Sequence, residues 1–232
     1  MAKIENIIVY SCIFNNYDKI QEPLFIEPNV SYYLFSDKII PNLKYWRLIL
    51  IDYTKLNLDP QRAARLIKLN PNNFLPKHNI SIWIDSCYQM RISNLKMFIT
   101  LNLQDKDICL FKHPKRNCVY EEIKVCKEKK LDYSNLLEKQ QEKYLKEGFL
   151  RNFGLYHTAF LIRKNNEFTN KFNKLWWEEL NKFSKRDQIS FSYCLWKLNY
   201  IPNIISNYFG PNLYHSNQFK KYKHIKKREI YD

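Results

Sequence analysis

Glycine is scarce: three occur in 232 residues. Loops that cradle phosphate groups on backbone N–H donors need several closely spaced glycines, so neither G-x-x-x-x-G-K-S/T nor G-x-G-x-x-G can be written on this chain. The six cysteines (Cys12, Cys87, Cys109, Cys118, Cys126 and Cys194) include no C-x-x-C pair. Zinc sites and dithiol redox centres need closely spaced ligands, so neither is indicated, and buried free thiols are expected. The G-x-S-x-G nucleophile turn and the H-E-x-x-H metal motif are both missing, which removes two common hydrolase signatures. No apolar run approaches the roughly 18 residues of a membrane helix. The opening Met1-Ala2-Lys3-Ile4-Glu5-Asn6 lacks the apolar core of a signal peptide. A soluble, cytoplasmic product is expected.

What the chain does have is positive charge. Lys and Arg number 38 against 23 Asp and Glu, a net +15. Such an excess concentrates anions, whether nucleotides, acidic glycans, nucleic acid or anionic headgroups, without choosing among them. Hydrophobic residues at 45% and charged residues at 26% fit one folded domain.

Short apolar runs at 7–14, 32–37, 46–51, 80–85, 108–113, 158–163 and 200–205 read as strands, several of them near-continuous, as when both sheet faces are covered. Asp59-Pro60 is an N-cap with proline at the first helical position and opens a helix over 61–69. A polar helix spans about 121–146 with a break near Asp132, and Phe172, Leu175, Trp176, Leu180 and Phe183 share one helical face. Ser184 to Asp187 has the form of a capping box opening a last helix. The pattern predicts an α/β fold with a mostly parallel central sheet flanked by helices over 1–216, followed by a basic C-terminal tail at 217–232.

Ligands of open α/β sheets collect beyond the carboxyl ends of the strands. Asp37, Asp85 and His113 end the second, fourth and fifth apolar runs. Arg62, Arg65 and Lys68 recur at helical spacing and either grip phosphate oxygens or form a solvated face. His113 to Glu122 concentrates an imidazole, the Arg116 guanidinium and two carboxylates within ten positions. Of these, His113 and Glu121 are read as functional and Glu122 as a complement to the helix dipole. Asp187 either caps its helix or joins Gln188 in meeting the hydroxyls of a bound sugar.

Together these blocks resemble the glycosyltransferase-like family formerly described as a domain of unknown function, DUF616, which includes plant mucilage-polysaccharide enzymes and bacterial and viral members. Val9 to Asp18 is similar to the family's opening strand and turn, and Arg65-Leu66-Ile67-Lys68 before Ile82-Trp83-Ile84-Asp85 to its central pattern. Phe111-Lys112-His113-Pro114, Arg116-Asn117-Cys118 and Tyr120-Glu121-Glu122 match its most distinctive motif. Trp176-Trp177-Glu178-Glu179 followed by Arg186-Asp187-Gln188-Ile189-Ser190-Phe191 matches its C-terminal one, so the likeness runs over roughly 7–198.

The resemblance implies a GT-A-like fold in which a D-x-D-type motif holds Mn²⁺ or Mg²⁺ and the donor diphosphate. Asp85 would be the first acid of that motif and a metal ligand. Cys87 stands where the motif carries an oxygen ligand, and thiol suits these ions poorly, so the phosphates would lean more on Arg65 and Lys68. His157 occupies a position where the family usually has an acid, marking a different acceptor or a base. His215 is a further candidate ligand from the C-terminal side.

The leading expectation is transfer of a hexosyl or pentosyl group from a nucleoside diphosphate sugar to a hydroxyl of a glycan or glycolipid. Tyr10 and Asp37 would lie around the nucleoside, with Arg65, Lys68 and Asp85 at the diphosphate. His113, Arg116, Glu121, His157, Asp187 and Gln188 would line the sugar and acceptor side. The alternative is a catalytically inactive fold used as a basic binding module for nucleic acid or an acidic surface, in line with Cys87 and the net charge; nucleic acid is not the expected partner. Hydrolysis of an amide or glycolipid bond is a third possibility with no motif to support it. The tail cations Lys220, Lys221, Lys223, Lys226, Lys227 and Arg228 either contact an anionic membrane or are solvated.

Overall fold

A computed structural model describes residues 6–226. The first apolar run becomes β1 (Ile7–Ile13), buried along its whole length. Side chains alternate across a strand, so Ile8, Tyr10 and Cys12 enter one core layer while Ile7, Val9 and Ile13 enter the other. After β1 come β2 (Val30–Ser36), β3 (Arg47–Leu50), α1 (Pro60–Leu69), the single turn α2 (Pro71–Phe74), β4 (Ile80–Ile84), β5 (Tyr88–Met90) and α3 (Leu95–Leu103). The chain continues through β6 (Ile108–Lys112), α4 (Val119–Glu128), α5 (Ser134–Lys146), β7 (Tyr156–Lys164), α6 (Glu167–Lys182), α7 (Asp187–Lys197), β8 (Asn203–Ile204) and β9 (Phe219–Lys221).

Seven strands make one sheet in the order β3-β2-β1-β4-β7-β6-β8. Strands β3, β2, β1 and β4 are mutually parallel, β6 and β8 are parallel, and β7 opposes both its neighbours. The mostly parallel α/β expectation holds, consistent with a GT-A-like arrangement. Helices α1 and α4 to α7 cover the face that carries Tyr10 and Trp83; α3 and the antiparallel β5–β9 pair cover the other.

Strand β7 is reversed relative to its neighbours. Because it runs against them, its first residues, rather than its last, lie at the edge where β4 and β6 end. Leu110 pairs with Leu161 but Phe111 pairs with His157, leaving residues 158–160 without partners in β6. A bulge of this kind bends the strand and re-aims its side chains.

The Asp59 cap forms as the sequence predicts, its carboxylate accepting the Gln61 and Arg62 N–H groups at 3.0 and 3.1 Å. The long polar helix divides at Asp132, which is buried and accepts from the Ser184 hydroxyl (2.7 Å) and the Lys185 N–H (2.8 Å). Ser184 is therefore committed to Asp132. The capping box expected from Ser184 to Asp187 does not form: the N-cap is Arg186, and Asp187 is the first residue of α7.

Within the segment expected as a basic tail, β9 pairs with β5, and beyond it His224 and Lys226 reach Asp18 and Asn15. Lys227 and Arg228 lie outside the described residues. All six cysteines are buried and unpaired, as expected. No helix among the described residues is long and apolar enough to cross a membrane.

Candidate active site

A cavity of about 450 Å³ opens beyond the carboxyl ends of β1 and β4, a size typical of small-molecule sites. The chain leaves β1 toward β2 on one side while β4 flanks it on the other, the kind of crevice in which α/β sheets bind ligands. The turn after β1 uses left-handed backbone at Asn15 (φ 54°) and Asn16 (φ 51°), a conformation asparagine tolerates. It is pinned by Asp37, whose two carboxylate oxygens accept the Asn15 N–H at 3.1 and 3.2 Å. Asp37 thus braces the cavity wall from behind.

Asp85 follows the last residue of β4, and its Oδ1 accepts the Trp83 Nε1–H at 2.7 Å. Beneath it the Lys68 ammonium is buried at 5.4 Å from the Trp83 ring, bonded to Asp187 and 3.9 Å from Asp85. Arg65 Nε lies 3.2 Å from the same Asp187 carboxylate. Burial alone would raise the Asp187 carboxyl, but the Arg65 and Lys68 charges outweigh it and hold it below the ordinary carboxylate range. Side-chain exposure separates the acids: 5% for Asp18, 4% for Glu122 and 7% for Asp187, against 30% for Asp85 and 39% for Asp59. Asp59 caps α1, so Asp85 is the accessible carboxylate with no helix to hold.

The opposite wall comes from the β6–α4 connection. His113 Nδ1 accepts the Arg116 N–H at 3.1 Å, which fixes the neutral ring with its proton on Nε2. That nitrogen lies 3.9 Å from Glu122, which is clamped by Arg116 Nε and Nη2 at 2.6 Å each. Burial lowers the His113 imidazole below its ordinary value. Gln188 donates to the Tyr156 carbonyl at 3.3 Å.

His157, at the bulged start of β7, is 6% exposed, faces the Tyr88 and Tyr214 rings and leaves Nδ1 without a hydrogen-bond partner. Burial, reinforced by His113, Lys68 and Lys221, pushes it down to about 3. A histidine neutral in the folded state but protonated in the unfolded chain makes stability fall as pH drops from about 6.5 toward 3. Between pH 7 and pH 5 the loss amounts to about 2 kcal/mol from this residue. Urea unfolding at the two pH values measures it, and His157→Gln should remove that part of the slope; an unchanged slope would contradict the assignment.

The cavity gathers Asp85, His113, His157, Asp187, Arg65, Arg116 and Gln188 of the residues singled out in the sequence. Others fall elsewhere. Tyr10 is fully buried on the α1 face of β1, donating to the Lys68 carbonyl at 2.7 Å and accepting from Arg163. Lys68 lies below the floor. Glu121 is exposed, and its neighbour Glu122 takes the inward position, reversing the roles expected for the pair. Arg62 ties α1 to the end of α6 through the Leu180 and Phe183 carbonyls. His215 is exposed against Asn212 and lines no part of the cavity. Sequence reasoning missed Asp18, Tyr88, Tyr214, Lys185 and His224, all of which line it.

Asp18, Cys87 and His224 bring a carboxylate oxygen, a thiol and an imidazole nitrogen within 4.8 Å of one another. His224 Nδ1 is 2.7 Å from Asp18 Oδ1, and the Ser86 hydroxyl donates to Asp18 Oδ2 at 2.7 Å. A mixed oxygen, nitrogen and sulfur set fits a borderline ion such as Zn²⁺ or Co²⁺ better than Mg²⁺, which takes oxygen ligands.

The profile of the family described as "TOD1/MUCI70, glycosyltransferase-like domain" matches residues 1–224. Among curated proteins, alkaline ceramidase TOD1 of Arabidopsis thaliana is 26% identical, the match covering 88% of this chain and 50% of that protein. Probable hexosyltransferase MUCI70, from the same plant, is 22% identical over 83% of this chain and 37% of its own length. The chain thus spans half or less of the relatives it matches.

Proposed function

Since the chain belongs to the TOD1/MUCI70 glycosyltransferase-like family, we propose that it moves a hexosyl or pentosyl group from a nucleoside diphosphate sugar to a hydroxyl of a glycan or glycoconjugate. The observation that carries this reading is the accessible Asp85 carboxylate in a cavity beyond the ends of parallel β1 and β4. As the glycosidic bond to the donor breaks, negative charge develops on the departing diphosphate, and stabilising it is the main catalytic task. Arg65 contributes a guanidinium at that end. The neutral His113 can donate Nε2–H to an oxygen that gains charge, while Asp85 is placed to accept a hydroxyl proton.

If a divalent ion serves this site, Asp18, Cys87 and His224 would hold it, in place of the expected pairing of Asp85 with His215. Bound there it would supply positive charge to phosphate oxygens. Co²⁺ added to the protein should give the intense absorption of a thiolate–metal bond, and Cys87→Ser should abolish that band while leaving the fold intact. No band in the parent protein would remove Cys87 from the ligand set.

A thermal-shift screen of uridine, guanosine, cytidine and adenosine diphosphates, with and without Mn²⁺ or Zn²⁺, tests the donor assignment. One base should stabilise selectively, by about 2.7 kcal/mol at a hundredfold excess over Kd. A binding module for nucleic acid would ignore these and bind oligonucleotides with steep salt dependence. The name of the TOD1 relative raises a second reading, hydrolysis of a ceramide amide. Release of fatty acid from ceramide without any nucleotide response would favour it.

A further inference from the structure

The connection between β1 and β2 holds three consecutive apolar residues out in solvent. Leu24, Phe25 and Ile26 are 48%, 45% and 50% exposed and lie between Pro23 and Pro28, whose rings fix φ. Their exposure does not come from a loose loop. The Leu24 N–H bonds the Met90 carbonyl of β5 at 2.8 Å, Gln89 Nε2 bonds the Glu22 carbonyl at 3.0 Å, and Trp46 Nε1 bonds the Gln21 carbonyl at 3.1 Å. On the far side of the tip Glu27 accepts the Leu95 N–H that opens α3, and Met97, two residues on, is 57% exposed. Apolar side chains gathered at the surface by a fixed backbone mark a face that something else covers.

Charge around this tip is one-sided. Lys19, Arg91 and Lys220 are exposed and Lys96 is half-buried, and none of the four forms an ion pair among the described residues. Arg91 follows Met90, Lys220 pairs with Gln89 across β5 and β9, and Lys96 precedes Met97. The acids of the loop are turned away to backbone donors. Glu22 accepts the Lys44 and Tyr45 N–H groups at 2.8 and 3.2 Å, and Glu27 is held by Leu95. A protein partner would need a pocket shaped for the tip and counter-charges in register with these cations. A bilayer surface offers an apolar boundary and negative headgroups without either requirement.

We propose that this face seats on an anionic lipid bilayer, with Leu24, Phe25 and Ile26 in the headgroup boundary and Lys19, Arg91, Lys96 and Lys220 against the headgroups. The contact differs from one made by a basic tail, since Lys220 lies in β9 and Lys226 is turned to Asn15. It also sets where the cavity sits. Tyr88 lines the cavity, and Met90, at the other end of β5, anchors the tip about 7 Å away along the strand. A seated molecule therefore holds its cavity close to the lipid surface, within reach of a lipid-linked acceptor. The inference stands whichever reaction the cavity performs.

Flotation of the full chain with phosphatidylcholine vesicles, with and without phosphatidylglycerol, tests this. The anionic vesicles should bind at least about tenfold more tightly, and the difference should shrink as salt rises. Leu24→Ser with Phe25→Ser and Ile26→Ser changes side chains that already meet solvent, so this variant should keep its melting temperature and lose at least about tenfold in vesicle affinity. Arg91→Glu with Lys220→Glu leaves the tip intact and should reduce the preference for anionic vesicles about tenfold; it decides the matter if the serine variant proves unstable. Absence of binding by the parent chain would overturn the inference, as would equal binding to both kinds of vesicle or undiminished binding by the variants. Dimerisation without lipid that the serine variant abolishes, with no vesicle binding, would give the face to a second copy instead.

Discussion

Asp85→Asn is expected to cut glycosyl transfer by about 10²–10⁴-fold, the usual contribution of a positioned general base, with almost no change in melting temperature. The two halves of that expectation come from the same geometry. Asp85 is partly exposed and makes one strong internal hydrogen bond, from Trp83 Nε1 to Oδ1. Asparagine keeps an oxygen at that place, so the Trp83 N–H stays satisfied, and what disappears is the negative charge. Lys68 does not lose its main partner, because it bonds Asp187 and stands 3.9 Å from Asp85. Asp85→Ala should be just as inactive but somewhat less stable, since a buried indole N–H would be left without an acceptor, at about 1–3 kcal/mol. Full transfer activity in the asparagine variant would sink the assignment of Asp85.

The largest stability effect belongs to Asp187→Ala, expected to cost about 3–5 kcal/mol. Lys68 is 1% exposed at its side chain, and both it and Arg65 direct their charge at Asp187. Removing the carboxylate leaves the buried Lys68 ammonium without its main partner and Arg65, at the cavity wall, without its counter-charge. A double replacement, Asp187→Leu with Lys68→Met, should recover the part of the loss that comes from the buried ammonium but not the part from Arg65, which still lacks its counter-charge. Urea unfolding of the three proteins measures this; a small effect of the single change would mean that water reaches the pair. The pH dependence has a definite sign. The folded-state value of Asp187 is depressed, so its stabilisation is complete above the unfolded value near 4 and is lost as pH falls through the depressed one. His157 acts from the same direction but over a higher window, and the two should separate in a stability profile between pH 7 and pH 2.

The central strands were plain in the sequence because β1, β4 and nearly all of β6 are covered on both faces, which makes their runs almost continuously apolar. The break at Asp132 and the cap at Asp59 were legible for local reasons, an acid interrupting a helix pattern and an acid before proline. Strands β5 and β9 were not. Each is three residues long, β9 contributes two lysines, and they meet across more than a hundred positions, so neither carries a pattern of its own. The confusion of Glu121 with Glu122 has a geometric cause: consecutive helical residues point about 100° apart, and only the start of α4 at Val119 decides which faces inward. Tyr10 fell to the opposite rule, since alternation along β1 sends it into the core beneath the site. His224 was hidden among lysines, and what recruits it is Asp18, 206 positions earlier.

That long reach has an outcome for how the molecule comes into being. A ribosome making this polypeptide delivers the β1 turn early and the residues that lean on it, His224 and Lys226, some two hundred peptide bonds later. Until then that side of the cavity lacks these two side chains, and the pocket takes its full form only once the later stretch has left the ribosome.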